Sequence, residues 1–426
     1  MTDVLDDLAA RGLIALSTDE RALRAALSSG PVTYYCGFDP TAASLHAGNL
    51  LQFMVLRALQ RAGHQPIVLI GGATGLIGDP NPDSERTLND RSTVEEWVTR
   101  IRTQVSPFLE LPARADPALR TPIYVNNLDW TAALSTIDFL RDIGQHFRVG
   151  RMLAKDAVSA RLNSAVGISY TEFSYQVLQG MDFLELFRRH GCRLQTGGSD
   201  QWGNLTAGVD LIHRIEGVSV HALATPLVTK ADGKKFGKTE TGTIWLDPAM
   251  TSPYAFFQFW LNAEDANIRA WLPLFSERPA GEIAALLESA ATLPVAREAQ
   301  RALARELTTL VHGERASQQA ESAGQALFGR GVGLDQLDPE PLAAALRETG
   351  LTELGGPAPS LAKLLQLTGL ADSLGQARRT VGEGGAYLNN ERISDPEAAP
   401  NERDWLHGRY LVLRRGKRLV AGVRRA

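Results

Sequence analysis

The alternation of apolar and polar positions changes period several times along the chain, and each change predicts an element. From Val32 to Phe38 the run is β-branched and aromatic, is introduced by Gly30-Pro31 and stops at Asp39-Pro40, which predicts a buried strand. After a loop of small residues, Leu51, Val55 and Leu59, with Phe53 and Leu56 beside them, recur at helical spacing in a helix that starts near Leu45 and stops at Gly63. A second strand is predicted from Ile67 to Ile70, between Pro66 and Gly71. Strand, helix and strand within about 40 residues have the size of one right-handed parallel crossover. Further strands, Ile123 to Val125 and Arg193 to Thr196, lie between helical stretches, so the first part of the chain predicts an open α/β sheet.

From Ser252 to Leu346 the pattern turns Ala-, Leu- and Glu-rich and helical, as in Glu282 to Ala291 and Val295 to His312. The breakers of Leu354-Gly-Gly-Pro-Ala-Pro-Ser360 read as a linker. Beyond it, Leu361 to Leu370 and Leu374 to Val381 predict two short helices, Tyr387 to Ile393 a hairpin, and Tyr410 to Leu413 a terminal strand. The expected organisation is an α/β domain over 1–225, a loop region over 226–249, an all-helical domain over 250–350, a linker over 351–360 and a small α+β domain over 361–426.

Composition adds constraints. With 426 residues, 44% of them hydrophobic and 22% charged, the chain is long enough for two or three domains. The first thirty residues carry Asp3, Asp6, Asp7, Arg11, Asp19 and Glu20 and no uninterrupted apolar core, so neither a signal peptide nor a membrane span is expected and the cytoplasm is the expected compartment. Cys36 and Cys192 lie in apolar runs, as reduced buried thiols do, and no metal-ligand spacing of Cys or His occurs, so no protein-bound metal is expected. Net charge is −4, yet residues 358–426 hold 12 Lys and Arg against 7 Asp and Glu, so the tail is basic. A basic tail is either a solvated surface or an RNA contact.

Two loops carry candidate chemistry. Asp39-Pro-Thr41-Ala-Ala-Ser-Leu-His46-Ala-Gly48-Asn49 follows the first strand and opens a helix, where free N–H groups and the helix dipole favour phosphate; an ordinary capped helix start would look the same. Lys230-Ala-Asp-Gly-Lys234-Lys235-Phe236-Gly237-Lys238-Thr239 places lysines around two glycines, suited to closing over a polyphosphate or to forming a solvated turn. Its end imitates a P-loop, but Asp232 stands where that motif needs glycine, and no dinucleotide fingerprint or nucleophile elbow is present. In Thr171 to Asp182, helical geometry brings Tyr175, Gln179 and Asp182 within roughly 60° of one face, either a solvated face or a polar pocket wall.

Together the two loops resemble the HIGH and KMSKS motifs of the class I aminoacyl-tRNA synthetases, about 190 residues apart. Tyr34-Tyr35-Cys-Gly37-Phe-Asp39, Gly71-Gly-Ala-Thr-Gly-Leu-Ile-Gly78-Asp79, Gly197-Gly198-Ser-Asp200-Gln201-Trp-Gly-Asn204 and Thr243-Ile-Trp-Leu are similar to the bacterial tyrosyl-tRNA synthetases, over essentially the whole chain. The resemblance implies a Rossmann-like open parallel sheet catalytic domain, a helical tRNA-contacting domain and a small RNA-binding domain of a ribosomal small-subunit type. It implies activation of L-tyrosine with ATP and Mg²⁺, transfer to tRNA(Tyr), and a homodimer. Thr41, His46, Asn49, Lys235, Lys238 and Thr239 are then the expected catalytic group. Asp79, Tyr175 and Gln179 would take the ammonium of tyrosine, Tyr35 and Asp182 its hydroxyl, and Gln201 would also hold substrate. Gly37, Asp39, His46, Gly48, Asn49, Arg86, Gly198, Asp200, Lys235 and Lys238 would hold ATP. Arg378 and Arg379 on a helix, with Arg414, Arg415, Lys417 and Arg418 near the terminal strand, would contact tRNA. Asp83 departs from the basic residue many relatives carry there, and Asn49 replaces the second histidine of HIGH. The sister enzyme for tryptophan and a non-catalytic RNA-binding protein are the alternative readings.

Overall fold

The computed structural model describes residues 3–80, 88–111, 119–164, 167–229, 236–239 and 242–426. They form two compact units, Met1–Asp247 with Ala266–Ala284 and Pro248–Asp265 with Ala285–Ala426.

In the first unit, six strands form one sheet: β1 (Leu16–Ser17), β2 (Thr33–Phe38), β3 (Gln65–Ile70), β4 (Ile123–Asn126), β5 (Cys192–Gly198) and β6 (His221–Thr225). Their spatial order is β1-β6-β5-β2-β3-β4, parallel throughout except for β1 against β6. Both faces are covered, which is why β2 is a continuous apolar run rather than an alternating one. Tyr34 points to one face, where its hydroxyl donates to the Leu56 carbonyl of the Leu50–Arg61 helix at 2.5 Å. Tyr35 points to the other and packs with Met181 and Phe183 of the Tyr170–His190 helix. That helix starts where Ser169 caps the Glu172 N–H and stops at Gly191, whose φ of 63° few other residues adopt at low cost. A small hairpin of β7 (Lys238–Thr239) and β8 (Gly242–Thr243) follows.

In the second unit, the Pro253–Leu261, Glu298–His312, Glu314–Leu327 and Pro339–Thr349 helices pack together beside a five-stranded sheet. Its strands are β9 (Leu351–Leu354), β10 (Ala386–Leu388), β11 (Glu391–Arg392), β12 (Tyr410–Arg415) and β13 (Leu419–Arg425), in the order β11-β10-β12-β13-β9. The expected hairpin turns through Asn389 and Asn390, both at positive φ, as a two-residue β-turn of this hand requires. Leu364, Leu365, Val381, Leu411 and Val423 form the core beneath it.

Two boundaries differ from the expected ones. The predicted linker begins with β9, which pairs in parallel with β13, so only its Gly- and Pro-rich remainder is irregular. Pairing with a strand about 70 residues away leaves no local signal, whereas the breakers do. Residues 266–284, expected in the helical domain, group with the sheet unit because Trp271 and Phe275 bury their rings there against Phe236.

Candidate active site

Strand order reverses between β5 and β2, and in open parallel sheets ligands sit in the crevice outside the carboxyl ends at such a point. The expected residues cluster there: Gly37 and Asp39 at the end of β2, Asp79 after β3, and Gly198, Asp200 and Gln201 at the end of β5. Gly71 and Gly198 are close approaches. A Cβ at Gly71 would stand 2.0 Å from Asp39 Oδ1, and one at Gly198 2.4 Å from Asp200 Oδ1.

The two glycine loops meet. Ala47 N–H donates to the Ile244 carbonyl, Leu246 N–H to the Leu45 carbonyl, and His46 bridges to Trp245. Ile244 N–H in turn donates to the Gly237 carbonyl, and Gly237, at φ 74°, lies so close that a Cβ would stand 3.6 Å from the Gly48 nitrogen. His46 Nδ1 accepts from Gly48 N–H at 3.1 Å, while Asn49 Oδ1 accepts from His46 N–H at 3.0 Å. This reciprocal cap uses the acceptor atoms of both side chains, so a neutral His46 carries its proton on Nε2 and the Asn49 amide nitrogen keeps its donors. Thr41 is exposed at the mouth of the same loop. Lys238 and Thr239 are described through their backbone in β7; Lys235, Arg86 and Asp83 lie outside the described residues.

Behind the loops runs a chain of buried polar groups. Asp182 accepts from Asn127 Nδ2 and from Trp130 Nε1, each at 2.9 Å, and burial pushes its carboxyl up to about 7 despite those donors. Asn127 also donates to Thr74 Oγ1 at 3.0 Å, Thr74 donates to Asp39 Oδ1 at 2.6 Å, and the Tyr175 hydroxyl donates to Asp39 Oδ2 at 2.6 Å. Tyr35 reaches this wall with its hydroxyl buried and unpartnered, and burial, reinforced by the charge of Asp182, raises its pKa well above the ordinary value. Gln179 Oε1 is likewise buried without a partner. Polar atoms buried this way cost roughly 1–3 kcal/mol each, which a ligand with a matching group can relieve.

Asp79 stands nearer the mouth, accepting from Gln201 Nε2 at 2.9 Å and Asn204 Nδ2 at 3.2 Å. Lys155 donates to Asn204 Oδ1, its stem lying where any side chain at 203 would fall, 2.8 Å from a Gly203 Cβ. Burial pulls its pKa down to about 8, against the attraction of Asp79. Sequence reasoning missed Asn127, Trp130 and Lys155. Asn126-Asn127 directly after a strand was the one usable signal for the first.

In the second unit, Arg378 and Arg379 are exposed on the Leu374–Gly382 helix, with Arg378 paired to Glu397 at 2.6 Å. Lys417 and Arg418 are exposed in the turn between β12 and β13. Arg414 and Arg415 are half-buried: the first lies 4.2 Å over the Tyr387 ring, and the second donates to the Leu370 carbonyl at 2.9 Å.

With this geometry in place, comparison with known proteins gives concordant matches. Residues 27–329 match the family of class I tRNA synthetases (W and Y), and residues 343–421 match the tyrosine–tRNA ligase SYY-like C-terminal domain. The tyrosine–tRNA ligase of Streptomyces avermitilis is 59% identical over 424 residues, 99% of each chain, and that of Acidothermus cellulolyticus is 58% identical over 428 residues, 100% of each. Among solved structures, a C-terminally truncated mitochondrial tyrosyl-tRNA synthetase from Coccidioides posadasii matches with a TM-score of 0.66 at 32% identity, over 75% of this chain and 91% of that one.

Proposed function

The chain belongs to the class I tRNA synthetases for tryptophan and tyrosine, as one of the tyrosine–tRNA ligases, and on that premise we propose how its cleft performs the reaction. Tyrosine enters ring first. Its hydroxyl donates to Asp182 and accepts from Tyr35, while Asp79, Gln179 and Gln201 receive the ammonium end, with Tyr175 held beside them by Asp39. The single observation that carries this is the buried wall where an acceptor, Asp182, faces an unpartnered phenol, Tyr35, a pair matched to a para-hydroxyl.

The carboxylate of tyrosine then attacks the α-phosphorus of ATP, the bond to the β-phosphate oxygen breaks, and pyrophosphate leaves. Mg²⁺ arrives with ATP, as part of the substrate. His46 Nε2–H and the Asn49 amide donate to phosphate oxygens, and Lys235, Lys238 and Thr239 meet the charge that moves onto the leaving group, with Thr41 at the γ-phosphate and Arg86 on pyrophosphate. In the second step the terminal ribose hydroxyl of tRNA attacks the adenylate carbonyl and AMP departs. Arg378, Arg379, Lys417 and Arg418 receive tRNA phosphates; Arg414 and Arg415 shape that surface from beneath. The enzyme works in the cytoplasm and as a homodimer, the second reading supported by the exposed Ile137, Leu140, Val149 and Tyr170. Among the described residues no helix is long and apolar enough to cross a membrane.

The ionisation of Asp182 supplies a test. Its carboxyl is protonated in the empty site below about pH 7, and the ionised form is much the stronger acceptor for the hydrogen bond that the phenol hydroxyl donates. Tyrosine Kd, measured by equilibrium dialysis, therefore rises about tenfold between pH 8 and pH 6, whereas the weak affinity for phenylalanine stays flat. A tyrosine Kd indifferent to pH over this range sinks the assignment.

A further inference from the structure

Phe236 is the only large apolar residue between Lys230 and Thr239, and it directly precedes the Gly237 that closes on Gly48. Its ring is only 9% exposed. Trp271 meets it edge-on, with ring centroids 4.8 Å apart at 81°, and Phe275 stacks on it at 5.2 Å and 18°. The same indole makes a second contact, its Nε1–H donating to the Thr229 carbonyl at 3.4 Å. Thr229 and Phe236 flank the lysine segment, so one side chain touches both of its ends.

The socket is itself fixed to the helix that carries the first loop. Glu277 accepts from Arg57 Nε at 2.5 Å and from Arg61 at 3.1 Å, and Arg11 donates to the Ser276 carbonyl at 2.6 Å. Arg57 and Arg61 lie on the Leu50–Arg61 helix, directly after the His46–Asn49 turn. The contacts form a closed circuit from Gly48 to Gly237, Phe236, Phe275, Glu277, Arg57 and back to Gly48. A solvated lysine turn has no need of such a frame; a segment that must meet a particular phosphate oxygen does.

We propose that Trp271 and Phe275 are positioning residues that seat Phe236 and thereby place Lys238 against the phosphates, setting the rate of adenylate formation through contacts remote from the tyrosine pocket. The inference rests on the assignment of Lys238 to the phosphates. Misplacement of a transition-state contact by an ångström lowers the rate of the chemical step without loosening a ligand bound elsewhere. In the full-length protein, Trp271→Leu lowers kcat for tyrosine-dependent pyrophosphate exchange by at least about tenfold, while tyrosine Kd from equilibrium dialysis holds within about twofold. Phe236→Leu gives the same split, and Trp271→Phe, which keeps an aromatic edge against Phe236, recovers most of the rate. Equal losses of kcat and tyrosine affinity in both leucine variants, or unchanged kcat in both, overturn the socket. Lys238→Ala is the control. If it lowers kcat and the leucine variants do not, the socket alone is wrong; if it leaves kcat intact, the phosphate assignment falls and the socket with it. Should Trp271→Leu fail to fold, Phe236→Leu decides.

Discussion

Lys238→Ala lowers the rate of tyrosyl-adenylate formation by about 10²–10³-fold and leaves tyrosine Kd within about twofold. The backbone of Gly237, the residue before this lysine, lies against Gly48 in the loop where His46 and Asn49 cap the turn, and the proposed reaction assigns the lysine to the phosphates there. As the carboxylate attacks, the bond from the α-phosphorus to the bridging oxygen breaks and negative charge builds on that oxygen as it leaves with pyrophosphate, and an ammonium fixed there stabilises the transition state more than the ground state. The proposed tyrosine pocket, against Asp182 and Tyr35, holds no part of this segment, so tyrosine affinity is expected to be untouched. Single-turnover adenylate formation at saturating ATP and tyrosine reads the first quantity and equilibrium dialysis the second. Weaker tyrosine binding with an unchanged rate at saturation would assign the lysine to uniform binding instead, and equal loss of both would argue against a transition-state role.

A chain ending at Gly350 retains pyrophosphate exchange within a few-fold of the full chain but charges tRNA at least about a hundredfold more slowly, because phosphate contacts dominate affinity for nucleic acid. Every sheet-end residue of the cleft belongs to the first unit, and the exposed cations Arg378, Arg379, Lys417 and Arg418 belong to the second. The cut matters. Ending the chain after residue 357 leaves β9 without β13, a strand with unpaired backbone groups that invites aggregation, whereas ending it at 350 removes the whole five-stranded sheet. Exchange and aminoacylation assays on the same preparation measure the two activities, and parallel loss of both in soluble protein contradicts this division of labour.

Much of the cleft was legible because its signals are local. A β-branched and aromatic run announces β2, and glycines mark the loops after β2, β3 and β5. The 100° step of a helix aligns Tyr175, Gln179 and Asp182, of which Tyr175 and Asp182 are buried in the cleft and Gln179 keeps a buried acceptor. What was not legible depends on elements meeting in space. Trp130 and Asn127 reach Asp182 only because the chain after β4 lies beside the Tyr170–His190 helix. Lys155 reaches Asn204 only because residue 203 lacks a side chain. Strand β9 exists only through β13. Arg414 and Arg415 read as cations like their neighbours until Tyr387 and the Leu370 carbonyl engage them.

Asn127 has a consequence for how this cleft can change. Its oxygen accepts from Ala73 N–H at 2.7 Å while its nitrogen serves Thr74 and Asp182, so only one orientation of the amide satisfies all three neighbours. The side chains of Thr74, Asn127 and Asp182, from three separate stretches of the chain, are therefore tied into one network. Altering the cleft to accept a ring with a different substituent means adjusting its donors as well, since replacing Asp182 alone takes the acceptor from the Trp130 indole N–H and from one Asn127 amide hydrogen in a dry interior.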